Sequence, residues 1–167
     1  MAAGGRRGSG GAAEQGLEHL GHAVVQAGRR IDAPIGRDPA NRKKMSARAR
    51  RSREAVTRIV RAEHLHPSLT LARVAIHTGR THQIRVHLTA IGHPIVGDPL
   101  YGGIRRRVPG DLKAVTHLDR PFLHAARLAF KHPSDGRRME FESPLPDDLQ
   151  RVLDELLERE ARGDSLA

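Results

Sequence analysis

Two tight glycine turns flanking a short cationic helix constrain this chain more than any other feature. Residues Thr78-Gly79-Arg80-Thr81-His82-Gln83-Ile84-Arg85-Val86-His87-Leu88 place one arginine on a glycine turn and another on the helix that follows. Ile91-Gly92-His93-Pro94-Ile95-Val96-Gly97-Asp98-Pro99-Leu100-Tyr101-Gly102 then brings a second tight turn. Ile84, Leu88 and Ile91 recur at helical spacing, Gly92 suits the C-terminal cap and Pro94 forbids continuation, so a helix is expected over Thr81 to Ile91. Guanidinium forks fixed on a turn and at the opening of a helix suit phosphate, or pairing with a buried carboxylate.

The charge balance points the same way. The 167 residues carry 29 Lys and Arg against 19 Asp and Glu, a formal charge of +10, so a polyanionic partner is expected, with nucleic acid favoured over membrane. Between Arg29 and Arg61 there are 12 basic residues and three acidic ones. Asn41 to Arg53 has hardly any apolar residue to anchor it, so the basic loop at 37–54 is expected to be mobile in the free protein. Arg42, Lys43, Lys44, Arg48, Arg50, Arg51 and Arg53 are its candidate nucleic-acid backbone contacts. A solvated loop without a dedicated ligand is the alternative. No run approaches the roughly 18 apolar residues of a membrane-spanning helix. With no Cys, disulfides and thiolate metal sites are excluded.

Periodicity gives an outline of the organisation. One domain is expected at this length. Residues 1–16 are rich in Gly, Ala and Arg and are expected to be disordered. The poorly ordered N-terminal segment is drawn to residue 22, a folded domain over 23–160 and a tail over 161–167. A weak organellar targeting peptide is the other reading of that start, and cytoplasmic localisation is the expectation. Ala23-Val24-Val25 and Ile31-Asp32-Ala33-Pro34-Ile35-Gly36 suit short extended pieces, and Leu69 to His77 suits a strand with Arg73 and His77 on its polar edge. Ala126 to Lys131 and Arg138 to Glu142 form a predicted hairpin around Pro133-Ser134-Asp135-Gly136. Asp147 to Glu160 is an amphipathic helix with Leu149, Val152, Leu153, Leu156 and Leu157 on one stripe.

Other chemistries are disfavoured by spacing. His77, His82, His87 and His93 lie five or six residues apart, matching neither the helical pair of zincins nor a zinc finger, so no metal site is expected. The glycines near Gly97 lack a P-loop's Lys-Ser/Thr ending, which argues against nucleotide hydrolysis.

Residues 78–103 closely resemble the third signature block of the RluA-type RNA pseudouridine synthases. Arg30-Ile31-Asp32-Ala33-Pro34-Ile35-Gly36-Arg37, Arg42-Lys43-Lys44-Met45, Ala55-Val56-Thr57-Arg58, Leu118-Asp119-Arg120-Pro121-Phe122-Leu123-His124-Ala125 and Ser143-Pro144-Leu145-Pro146 resemble further family segments in family order, covering residues 23–157. The resemblance implies an α+β fold, with a mixed, mostly antiparallel sheet and flanking helices. It implies isomerisation of uridine to pseudouridine in rRNA or tRNA, with no cofactor. It casts Arg85 as the catalytic partner of an aspartate and Arg80 as an RNA-positioning residue or a structural turn residue. His82 and His87 become structural support, and Tyr101 a core-packing side chain.

The family places its nucleophilic aspartate in a His-Arg-Leu-Asp segment upstream of the matched blocks, and no such segment occurs in these 167 residues. His117-Leu118-Asp119-Arg120 belongs to a different block, and Asp119 reads instead as a turn or cap acid paired with Arg120. The chain is therefore expected to be a partial catalytic domain, inactive alone. A non-catalytic RNA-binding module is the second reading. The third is an unstable fragment whose exposed strand edges need a partner chain to complete the sheet.

Overall fold

A computed structural model describes residues 14–22, 25–102 and 112–162. Among the described residues nine strands and three helices follow one another as β1 (Glu14–His22), β2 (Arg30–Asp32), β3 (Ile35–Arg37), β4 (Met45–Ser46), β5 (Ser52–Arg53), β6 (Val56–His66), β7 (Leu69–Ile76), α1 (Gln83–Ala90), α2 (Lys113–Thr116), β8 (Leu123–Lys131), β9 (Arg138–Glu142) and α3 (Asp147–Ala161). Six strands form one sheet in the order β2-β6-β7-β1-β8-β9, and β3 sits between β4 and β5 in a second. Every pairing is antiparallel. This is the α+β architecture the sequence implied.

The longest strand carries no clean alternation. In β6, Thr57, Ile59 and Leu65 are buried, and the register against β7 shifts between Ile59 and Arg61 and again between His64 and His66. Each shift turns the following side chains over, so buried positions no longer recur every second residue. β7 has no such break: Ala72, Val74 and Ile76 face the core, while Arg73 and His77 are exposed, as expected.

α1 and α3 supply the other half of the core. Ile84 and Leu88 from α1 and Leu149, Val152, Leu153 and Leu156 from α3 join Ile59, Leu69 and Val74 in one buried cluster. Leu157, expected on the same stripe, is 44% exposed, because the packed arc of α3 is narrower than its apolar stripe. Glu155 of α3 accepts the Lys113 and Ala114 N–H groups, so one helix caps the start of another. Past α1, Gly92 at φ 85° lets the His93 N–H reach the Leu88 carbonyl at 2.8 Å and the Gly92 N–H reach that of Thr89 at 3.0 Å. That is the expected glycine stop.

Two expectations need correction. The poorly ordered N-terminal segment drawn to residue 22 gives way at Glu14 to β1, which lies inside the large sheet paired to β7 and β8 on either side. Gly16 and Gly21 weakened its strand signal. Residues 1–13, and Ala23 and Val24 of the expected apolar strand, lie outside the described residues. The basic segment likewise carries strands where a loop was expected: Met45–Ser46 and Ser52–Arg53 pair with Ile35–Arg37. Met45 and Ala47 pack on a second cluster of Ile35, Ala55 and Val86, and this seats the small sheet on α1. Gly36 permits the arrangement, since a Cβ there would lie 1.9 Å from the Arg51 carbonyl oxygen.

Candidate functional site

Arg85 is the third residue of α1, on the side of the helix that faces the Gly97-to-Gly102 turn. Its Nε and Nη2 donate to the two carboxylate oxygens of Asp98, each at 2.8 Å. Asp98 is fully buried, and Arg85 is only 17% exposed. Oδ1 of Asp98 also accepts the Leu100 N–H at 2.9 Å and the Tyr101 N–H at 3.1 Å. Burial pushes the Asp98 carboxyl up. The Arg85 fork and the two N–H groups outweigh it and hold the carboxyl below the usual range, while the same bond raises Arg85 further. The pair is therefore charged at neutral pH, with the Nε and Nη2 groups of Arg85 both engaged by Asp98.

Gly97 sets the carboxylate in place. Its φ is 72°, and a Cβ would lie 2.2 Å from the Arg120 carbonyl oxygen, so the turn needs glycine twice over. The Phe122 N–H bonds the Val96 carbonyl at 2.8 Å, fastening the same turn to the start of β8.

Tyr101 bridges this turn to the small sheet. Its hydroxyl accepts the Met45 N–H at 2.8 Å and lies 3.3 Å from the Met45 carbonyl and 3.0 Å from His82 Nδ1. The Arg85 guanidinium lies 5.0 Å from the ring centroid and the Lys44 ammonium 5.8 Å. His82 takes a left-handed backbone, φ 56°, at the N-cap of α1 and meets the Tyr101 ring edge-on. Burial, then the nearby Arg85 charge, depress its imidazole.

Behind the site a buried polar chain ties α1 to the sheets. His87 is fully buried; its Nε2 donates to the Ala33 carbonyl at 2.8 Å and its Nδ1 accepts from the Thr57 hydroxyl at 2.9 Å. The carbonyl fixes that tautomer. Desolvation lowers the His87 pKa, outweighing the Ala33 bond. Gln83 donates to Val56 and Thr57 and accepts from the Thr78 hydroxyl and the Arg80 N–H. His82, His87 and Tyr101 thus each hydrogen-bond to another part of the chain.

The remaining candidates fall into two groups. Arg80 Nε donates to the Glu54 carbonyl at 3.0 Å, which ties the glycine turn to the link between β5 and β6. Arg42, Lys43, Arg48, Arg50, Arg51 and Arg53 are exposed and Lys44 is half-buried. Among the described residues none of these seven has a carboxylate partner. The expected pairing of Asp119 with Arg120 is corrected: Arg120 makes a two-pronged bond to Asp148 at the start of α3, at 2.6 and 2.8 Å, and Asp119 stays exposed. Asp98, Gln83 and Thr57 were not singled out in the sequence; an Asp between Gly and Pro, a dozen residues after an arginine helix, was the available signal for the first. A cleft of about 880 Å³ opens elsewhere, between Arg58, Arg73, His77, Arg127 and Leu145, and Arg85 does not line it. No group of three or more metal-ligating side chains occurs among the described residues.

A family profile described as RNA pseudouridylate synthase matches residues 19–90. An RNA pseudouridine synthase of Chloroflexus aurantiacus is 49% identical over 129 residues, covering 77% of this chain and 38% of that protein. Ribosomal large subunit pseudouridine synthase D of Vibrio vulnificus is 43% identical over 147 residues, covering 85% of this chain and 44% of its own length. The chain belongs to the RNA pseudouridine synthase family. The solved structure of human RNA Pseudouridylate Synthase Domain Containing 1 superposes with a TM-score of 0.64 at 25% identity, covering 87% of this chain and 66% of that one. This pseudouridine synthase family chain spans less than half the length of both sequence relatives. Arg85 lies within the profile match, while Asp98 and Tyr101 lie beyond its end.

Proposed function

We propose that this chain supplies the guanidinium-bearing part of a site that converts uridine to pseudouridine in rRNA or tRNA. The observation that carries it is Arg85, only 17% exposed and gripped through two nitrogens by a buried carboxylate; its remaining N–H groups are assigned to a second anion. A carboxylate working in a partly dry pocket has its pKa raised by desolvation, and a fixed guanidinium beside it keeps it ionised. The aspartate that completes such a site has no counterpart in these 167 residues, so the chain alone is assigned binding without isomerisation.

The unpaired cations from Arg42 to Arg53 are assigned to the RNA backbone, and Arg80 to holding the turn between them and α1. A partner segment has a place to add. β2 pairs only with Val56–Arg58 of β6, so from Val60 to Leu65 that side of β6 is an edge among the described residues. Pseudouridine mapping by mass spectrometry, on RNA incubated with the chain and with a longer version carrying a His-Arg-Leu-Asp segment, tests the reading. Modification by the longer protein alone supports it. Modification by neither defeats the enzymatic assignment, and RNA binding that persists in that case favours the non-catalytic module.

A further inference from the structure

Tyr101 touches both the small basic sheet and the Arg85–Asp98 pair. On one side its hydroxyl is bound to the main chain of Met45 in β4, and the neighbouring Lys44 ammonium lies over its ring. On the other side the Arg85 guanidinium lies over the ring, and Asp98 accepts the Tyr101 N–H while gripping Arg85. We propose that Tyr101 is a positioning residue: its hydroxyl couples the basic sheet to Arg85, so that an RNA strand on the sheet resets the Arg85 guanidinium. Two cations share one ring, and only Arg85 has a carboxylate among the described residues. Phosphate drawing Lys44 outward would pull on Met45, and the Met45–Tyr101 bond would carry that pull to the ring beside Arg85. The inference rests on the assignment of Arg42 to Arg53 to RNA.

The test uses the full 167-residue chain labelled with nitrogen-15 and titrated at low salt with a single-stranded uridine dodecamer. Two sets of signals are followed: the backbone amides of residues 48–53 and the Arg85 Nε–H, identified by its loss in Arg85→Lys. In the native protein both sets are expected to move with one midpoint. In Tyr101→Phe, which keeps the ring, the amides are expected to move with a midpoint within about twofold, while the Arg85 response disappears. An Arg85 response as large in Tyr101→Phe as in the native chain overturns the coupling, as does an Arg85 signal that stays still while the native amides move. Amides that ignore RNA in the native chain overturn the RNA assignment instead. The link is then read without RNA: Tyr101→Phe is expected to shift the Arg85 Nε–H signal and to speed Met45 amide exchange about tenfold, and no change in either defeats it.

Discussion

Asp98 and Arg85 form a two-pronged ion pair in which the carboxylate is fully buried and the guanidinium nearly so. Removing one member leaves the other charged in a site built for two, a larger loss than the pair's own net stabilisation. Asp98→Asn is expected to lower unfolding free energy by about 3 kcal/mol in urea titration. Arg85→Met should cost a similar amount, and the double variant less than the two losses added. Strict additivity would show that the two side chains do not act as a unit.

The unpaired cations of the small sheet give a salt-dependent expectation. If Arg50, Arg51 and Arg53 each neutralise one phosphate, changing all three to Gln should reduce the slope of log affinity against log salt by about 2 for single-stranded RNA. Fluorescence anisotropy over a salt series checks this. An unchanged slope and affinity would remove the sheet from the RNA interface.

Much of the architecture was legible in the sequence, and the failures have local causes. α1, α3 and the β8–β9 hairpin each carry unbroken periodicity between strong stops, such as Gly92 before Pro94 and Gly136 in the hairpin turn. β6 was not read as a strand because its two register shifts scramble alternation, and β1 because its glycines resemble a flexible terminus. The basic segment looked unanchored since its anchors are few: Met45 and Ala47 against Val86, and one tyrosine hydroxyl from 56 residues away. Arg85 was singled out through family resemblance, but its pairing with Asp98 was not foreseen. Asp98 was not singled out, because a carboxylate in a turn reveals its partner only once the helix is folded beside it.

Glycine substitutions separate close packing from loop freedom. Gly36→Ala and Gly97→Ala put a Cβ 1.9 Å and 2.2 Å from a main-chain oxygen, and both are expected to lower the melting temperature severely. Gly79→Ala meets nothing within 4 Å and has no positive φ, so its change should stay within about 1 kcal/mol. Equal losses at all three sites would contradict the described backbone approach.

Acid should destabilise the chain in two stages. His82 and His87 have pKa values lowered from the ordinary 6.5, so their contribution is complete above that value and is lost as pH falls from it toward their folded values. Asp98 is likewise depressed, and the Arg120 fork holds Asp148 at about 2, so the carboxylate contribution is lost only below the ordinary 3.8. Melting temperature against pH should fall first below 6.5 and again below 3.8. His87→Gln is expected to flatten the first step, and a first step unchanged by that variant would place its origin elsewhere.

Tritium release from RNA carrying C5-labelled uridine addresses the assignment of Arg85 most directly. The 167-residue chain alone should release none. An N-terminally extended form with a His-Arg-Leu-Asp segment should release tritium, and Arg85→Met in that form should abolish the release. Release by the unextended chain, lost on Asp119→Ala, would contradict the account and make the exposed Asp119 the nucleophile.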